Sequence, residues 1–175
     1  MTYRITTVCM GNICRSPMAE AIIRAYVEDA GLGGLVVVDS AGTDHWHVGE
    51  GADPRALATL RAAGYDLDHC VRQYHRDWFA PGHAAFGDLV LAMDANNYAH
   101  LLRLAPDASA ASRVRMMRSF DPALVDIADG DPRLDVPDPY YGPTDGFADV
   151  LEMIEAASAG LVAQLPTLLA TPRPS

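Results

Sequence analysis

The sequence predicts an α/β fold: a single domain built on a four-stranded parallel sheet with helices on both faces. Two observations carry this prediction. Segments of strand character alternate with segments of helical periodicity along the chain. The strand segments are continuous apolar runs, the pattern of strands covered on both faces through right-handed crossovers. A length of 175 residues suits one well-buried core and is short for two. The expected domain spans residues 1–170, with 171–175 as a flexible tail.

The elements follow in order. "YRITTVC" (3–9) is β-branched and apolar and reads as a strand ending at Cys9. After a loop containing Gly11 and Asn12, Ser16 is the expected N-cap and Pro17 the first helical residue. The helix that follows places Ile22, Ala25 and Tyr26 on one face and stops at Gly31. "LVVVDSAG" (35–42) is a second strand. "DPRALATLRAAG" (53–64) reads as a helix with an Asp cap, a Pro start and a Gly stop. "DLVLAMD" (88–94) is a third strand, with a short helix around 96–104, and "SRVRMMRSF" (112–120) is a candidate fourth strand. Residues 145–169 read as a long C-terminal helix carrying Phe147, Leu151, Ile154, Leu161 and Leu165 in phase. Ligand sites in such folds lie beyond the carboxyl ends of the strands, so Cys9, Ser40 and Asp94 are expected to gather at one edge.

Composition narrows the function. Half of the residues are hydrophobic, and the net charge is −10. That charge disfavours nucleic-acid and anionic-membrane partners but leaves room for a local anion site. No apolar run is expected to approach the roughly 20 residues of a membrane span. "MTYRITTVCMGN" lacks the pattern of a signal peptide, so a cytoplasmic location is expected, with signal-independent secretion as the variant of that reading. Three cysteines do not make a disulfide framework. All 13 basic residues are Arg, a composition that suits a GC-rich bacterium.

The strand–loop–helix segment "VCMGNICRSP" (8–17) carries the chemistry. Backbone N–H groups in such a loop converge at a helix N-terminus, whose dipole favours an anion. Arg15 adds a fork of donors matched to two phosphate oxygens. The same donors stabilise a thiolate, so Cys9 and a phosphate can be held together. The Cys9–Cys14 spacing lacks the further ligands that zinc needs, and no metal or other cofactor is expected. A nucleotide P-loop is excluded, since the sequence contains no Lys.

"VCMGNICRSPMAE" closely resembles the active-site signature of low-molecular-weight protein tyrosine phosphatases. The resemblance continues through residues 39–73, "DLVLAMD" and "DPYYG" (138–142). It implies a flavodoxin-like topology and hydrolysis of phosphotyrosine and small aryl phosphates through a cysteinyl phosphate. By this resemblance Cys9 is the nucleophile and Arg15 the phosphate clamp, while Met10, Gly11, Asn12, Ile13, Cys14 and Ser16 form the phosphate-binding loop. Asn12, Ser16, Ser40 and His69 resemble a supporting hydrogen-bond network that shapes the loop and supports the thiolate, with Ser16 able to donate to the sulfur and Asn12 able to tie the loop down, and Trp46, Tyr140 and Tyr141 resemble the aromatic walls of the cleft. Cys14 is also implied as a reversible disulfide partner of Cys9. The partner implied is a phosphotyrosine protein, a bacterial tyrosine kinase or a host protein, met by a monomer or weak dimer.

The leaving phenolate needs a proton and the second step needs a base; one carboxylic acid can do both. Asp-Pro occurs four times, at Asp53, Asp121, Asp131 and Asp138, and by itself means turn or cap. Asp138 is singled out by resemblance, since the Tyr140-Tyr141-Gly142 that follows is similar to the acid loop of that phosphatase family, with Asp135 the nearest rival. Related readings are a phosphoarginine phosphatase, in which Thr typically replaces Ile13, and an arsenate reductase, which needs further cysteines. A non-catalytic phosphoprotein-binding module requires a lost nucleophile or acid. Cys70 is expected to be a packing residue.

Overall fold

In the computed structural model, which describes residues 2–172, β1 (Tyr3–Cys9) runs through the middle of a parallel sheet. β2 (Val36–Gly42) pairs along its full length on one side, with Tyr3 opposite Val36 and Cys9 opposite Gly42. β3 (Leu89–Ala92) pairs on the other side and β4 (Val114–Met116) lies beyond it, giving the order β2-β1-β3-β4. The chain leaves β1 to one side and returns on the other. A crevice therefore opens at the carboxyl end of β1, where open α/β sheets take their ligands.

Both faces of the sheet are buried. Ile5, Val36, Val38, Leu89 and Leu91 join a core closed by α1 (Arg15–Asp29), α2 (Pro54–Ala62) and α5 (Gly146–Ala170). Val8, Ala41, Val90, Ala92 and Val114 join a second core with Tyr74, Phe79, Leu101 from α3 (Ala95–Leu104) and Ala110 from α4 (Ala108–Ser112). β3 is buried at all four positions, so its apolar run does not alternate, whereas on the edge strands Val37 of β2 is exposed and Arg115 of β4 half-buried.

Several local expectations change. Cys14, not Ser16, is the N-cap of α1, and Arg15 is its first residue; Ser16 is drawn into the polar contacts beneath the loop. The buried face of α1 is wider than expected: Met18, Ala19, Ile22, Ile23 and Val27 are buried, while Ala25 and Tyr26 are half-buried. The fourth strand is three residues long and passes into a 3₁₀ turn at Met117–Phe120. α4, capped by Asp107, had no expectation in the sequence. Asp53 caps α2 as expected, accepting from Arg55 N at 2.8 Å.

α5 also corrects the hydropathy reading, because by length and composition it is long and apolar enough to cross a bilayer. Here it packs against α1, burying Phe147, Val150, Ile154, Ala157, Leu161 and Leu165. Of the expected tail, Thr171 still bonds to Leu168 O, and residues 173–175 lie outside the described residues.

Candidate active site

Cys9 ends β1, and residues 9–15 curl to the start of α1. The carbonyls of this loop are tied to the surrounding protein. Thr43 N donates to Cys9 O (2.9 Å), Asp44 N to Met10 O (3.0 Å), Asp53 N to Ile13 O (2.8 Å) and Met18 N to Cys14 O (3.1 Å). His69 Nε2 donates to Asn12 O at 2.8 Å, since a carbonyl can only accept. In a planar trans peptide the C=O and the following N–H point in opposite directions. With the oxygens drawn outward, the amides of Met10, Gly11, Ile13, Cys14 and Arg15 face the loop's centre. The result is an anion cradle with the Cys9 sulfur at its floor.

Two backbone features fix the curl. Asn12 adopts φ 57°, the left-handed region in which Asn is better tolerated than most residues. β2 comes so close that a Cβ at Gly42 would stand 2.6 Å from Met10 O, so only glycine fits there.

The side chain of Asn12 is fully buried and fully used. Its Nδ2 donates to Ser16 Oγ (2.9 Å) and Ser40 Oγ (3.0 Å), and its Oδ1 accepts from Arg72 N (3.0 Å). Ser40 Oγ in turn donates to Glu20 Oε2 at 2.6 Å. The direction of the chain follows from its end. A carboxylate can only accept, so Ser40 gives it its proton and receives from Asn12. The second amide proton of Asn12 goes to Ser16, which is left with one proton to donate. Ser16 Oγ lies 3.0 Å from Cys9 Sγ, with Ala41 O at 3.3 Å as the competing acceptor. Glu20 is 7% exposed. Burial opposes its ionisation, but the nearby His69 ring, whose Nδ1 lies 3.7 Å away, the hydrogen bond from Ser40 and the charge of Arg24 outweigh it and hold its carboxyl below the usual range.

Arg15 lies inside this edge of the sheet with its guanidinium almost fully buried. NH1 donates to Asp94 Oδ2 (2.6 Å) and Val136 O (3.0 Å), and NH2 makes a longer contact to Asp138 Oδ2 (3.4 Å). Burial works against its charge, but Cys9, Asp94 and Asp138 outweigh that and push its pKa up. Asp94 serves twice, since its Oδ1 also caps α3 through Asn97 N at 2.7 Å. Cys14 shares the pocket, and burial, then Asp53, Cys9 and Asp138, push its thiol up. It is a neutral thiol beside Cys9. Cys70, expected to pack, is exposed.

The four Asp-Pro pairs divide by environment. Asp53, Asp121 and Asp131 cap helical turns through the amide two residues on. Asp138 makes the same local bond, Oδ1 accepting from Tyr140 N at 3.1 Å, but its Oδ2 faces Arg15 and it lines the pocket. Asp135 turns away, its Oδ1 accepting from Ala95 N at 2.8 Å.

The pocket opens through an apolar rim. Met10, Ile13, Trp46, Tyr140 and Tyr141 line it together with His47. Trp46 is 68% exposed and Tyr141 87%, which no core requirement explains. The two tyrosine rings meet edge to face, centroids 4.7 Å apart. Asn12, Ser16, Ser40 and His69 lie beneath the loop rather than in the pocket. Sequence reasoning missed Glu20, Arg55 and His47 and did not give Asp94 its role. The signal for Asp94 was its place at a strand end on the same edge as Cys9, and for His47 its place beside Trp46; the contacts of Glu20 with Ser40 and of Arg55 with Tyr140 span distant segments.

The chain matches the family model described as "Low molecular weight phosphotyrosine protein phosphatase" over residues 4–169. It is 60% identical over 163 residues to a low molecular weight protein-tyrosine-phosphatase of Streptomyces coelicolor, covering 93% of each chain. It is 46% identical over 157 residues to low molecular weight protein-tyrosine phosphatase A of Mycobacterium tuberculosis, covering 90% of this chain and 88% of that one. The crystal structure of a protein tyrosine phosphatase from Entamoeba histolytica, with Hepes in its active site, superposes with a TM-score of 0.83 at 32% identity, over 95% of this chain and 98% of the other. The strand–loop–helix cradle, the parallel sheet that carries it and these likenesses along nearly the whole chain agree: the chain belongs to the low-molecular-weight protein-tyrosine phosphatase family.

Proposed function

We propose that this phosphatase hydrolyses phosphotyrosine side chains of proteins in two steps, with Cys9 as nucleophile, Arg15 as phosphate clamp and Asp138 as acid and then base. The observation that carries the reading is the outward tethering of the loop carbonyls, which leaves amides and a guanidinium around the Cys9 sulfur. A phosphate dianion entering the cradle gains the amides of Met10, Gly11, Ile13, Cys14 and Arg15 and the NH2 group of Arg15, displacing its long contact to Asp138.

Cys9 Sγ then attacks phosphorus in line. The sulfur–phosphorus bond forms, the bond from phosphorus to the phenolic oxygen breaks, and Asp138 gives its proton to that oxygen. In the second step water attacks phosphorus, its proton goes to the Asp138 carboxylate and the electron pair returns to sulfur. Ser16 donates to the sulfur when it is the leaving group.

The apolar rim holds the phenyl ring at the depth that brings its phosphate to the sulfur. Ile13, half-buried against the core, gives the pocket an apolar side suited to an aryl phosphate. The substrates on this reading are cytoplasmic phosphotyrosine proteins, a bacterial tyrosine kinase or a host protein among them.

The test is turnover of phosphotyrosine peptide, phenyl phosphate and phosphoarginine, with and without chelator. Expected are hydrolysis of the two aryl esters, indifference to chelator, and loss of at least about 10⁴-fold in Cys9→Ser. Preference for phosphoarginine, or native turnover by Cys9→Ser, contradicts the reading.

A further inference from the structure

No strand or helix holds residues 135–145, the segment that carries Asp138. A general acid is useful only within hydrogen-bond reach of the leaving oxygen, so something has to hold this segment in place. Arg55, on the first turn of α2, does so from outside the pocket. Its NH1 donates to Tyr140 O at 3.2 Å. Its guanidinium carbon lies 5.4 Å from the centroid of the Tyr140 ring and 4.9 Å from that of Phe147, at the start of α5. The other end of the same residue answers to Asp138, since Tyr140 N donates to Asp138 Oδ1 at 3.1 Å. Tyr140 is therefore held at both ends, by the acid through its N–H and by Arg55 through its C=O.

Arg55 is itself anchored. Asp53 takes its Nε (3.1 Å) and NH2 (2.8 Å), and Asp53 N donates to Ile13 O on the phosphate loop at 2.8 Å. A continuous path runs from the phosphate loop through Asp53, Arg55 and Tyr140 to Asp138.

We infer that Arg55 is a positioning residue for the general acid, fixing the Asp138 segment at a set distance from the phosphate loop through Tyr140. The inference rests on Asp138 being the acid. It follows that loss of Arg55 damages proton delivery to the leaving group and leaves attack on phosphorus largely intact.

The experiment reads kcat/KM, which reports the phosphorylation step, for phenyl phosphate (a poor leaving group) and 2,4-dinitrophenyl phosphate (a good one). Asp138→Ala, Arg55→Ala, Arg55→Lys and the double variant Arg55→Ala/Asp138→Ala are compared. Arg55→Ala is expected to slow phenyl phosphate about tenfold or more and dinitrophenyl phosphate by less than about twofold, a fraction of the roughly 10²–10⁴ a general acid supplies. Arg55→Lys, which keeps the charge but not the fork, is expected in between. The double variant is expected to match Asp138→Ala within about twofold, because a residue acting through Asp138 has nothing left to position.

Equal slowing of both substrates by Arg55→Ala, or a double variant whose losses multiply, overturns the inference while leaving Asp138 as the acid. If Asp138→Ala itself slows both substrates equally, the acid assignment falls and the role of Arg55 falls with it. Should Arg55→Ala not fold, Arg55→Gln, which retains an N–H donor for Tyr140 O, is compared with Arg55→Lys on the same pair of substrates. Equal leaving-group dependence to the unmodified enzyme in both then overturns the inference, and a steeper dependence in either upholds it.

Discussion

Ser16 Oγ lies 3.0 Å from Cys9 Sγ and keeps its proton to donate there, with Ala41 O the competing acceptor, because Asn12 Nδ2 donates both to Ser16 and to Ser40, which passes its own proton to Glu20. The proton that Ser16 offers stabilises sulfur whenever it carries charge, as attacking group in the first step and as leaving group in the second.

Ser16→Ala removes that donor and strands one amide proton of Asn12. A hydrogen bond to a charged group contributes about 1.5–3 kcal/mol, which corresponds to roughly 10–100-fold in rate. The larger loss is expected in the second step, so the phosphoenzyme accumulates. Stopped-flow release of phenol is then expected to show a burst of about one equivalent per active site followed by slow turnover. A change below about twofold in both phases contradicts the role.

Glu20 makes stability depend on pH. Its folded carboxyl titrates below the usual range, so the ionised form contributes stability above the unfolded value near 4.3, and that contribution is lost as pH falls through the folded value. Glu20→Gln keeps an acceptor for Ser40 but lacks the charge. It is expected to cost about 1–3 kcal/mol at pH 7 and progressively less as pH falls below about 4. Urea unfolding at pH 7 and again below about pH 4 checks this; a cost that is the same in the two conditions is the opposing result.

Cys14 is pushed well above an ordinary thiol, so closure of a Cys9–Cys14 disulfide after peroxide oxidation of Cys9 is limited by the scarcity of the Cys14 thiolate. Closure is expected to accelerate about tenfold per pH unit through pH 9.5, where an unshifted thiol levels off near 8.5. Timed alkylation and peptide mapping in excess peroxide measure it. A plateau near pH 8.5 contradicts the shift.

The two rival carboxylates separate cleanly. Asp135 accepts from Ala95 N at the start of α3, whereas Asp138 faces Arg15. Asp135→Ala is expected to lower stability by about 1 kcal/mol, as loss of a cap does, and to change kcat/KM for phenyl phosphate by less than about threefold. Thermal melts and initial rates settle it; a large loss of activity with unchanged stability points to the wrong acid.

The loop from Cys9 to Arg15 was legible because its determinants are local: a strand end, a glycine, an asparagine and a helix start within seven residues. The parallel sheet was legible because burial on both faces leaves unbroken apolar runs. What escaped depends on distant segments meeting. Arg15 and Asp94 are 79 positions apart, and Arg55 and Tyr140 85. Glu20 sits within an apolar helix face, where a charge is unexpected, and only Ser40, His69 and Arg24 explain it. Ser16 looked like a cap because its residue type favours one; the sulfur and Asn12 claimed it instead. β4 was overread because Met117 and Phe120, buried beyond the strand's end, prolong its apolar pattern into a 3₁₀ segment.

On this mechanism phosphorus bonds to the Cys9 sulfur during turnover. Rapid acid quench of a burst with phosphorus-labelled aryl phosphate, followed by peptide mapping, tests it directly. Label is expected on the peptide containing Cys9, close to one equivalent in Ser16→Ala and none in Cys9→Ser. Label on another residue, or full turnover with no labelled protein in Ser16→Ala, contradicts it.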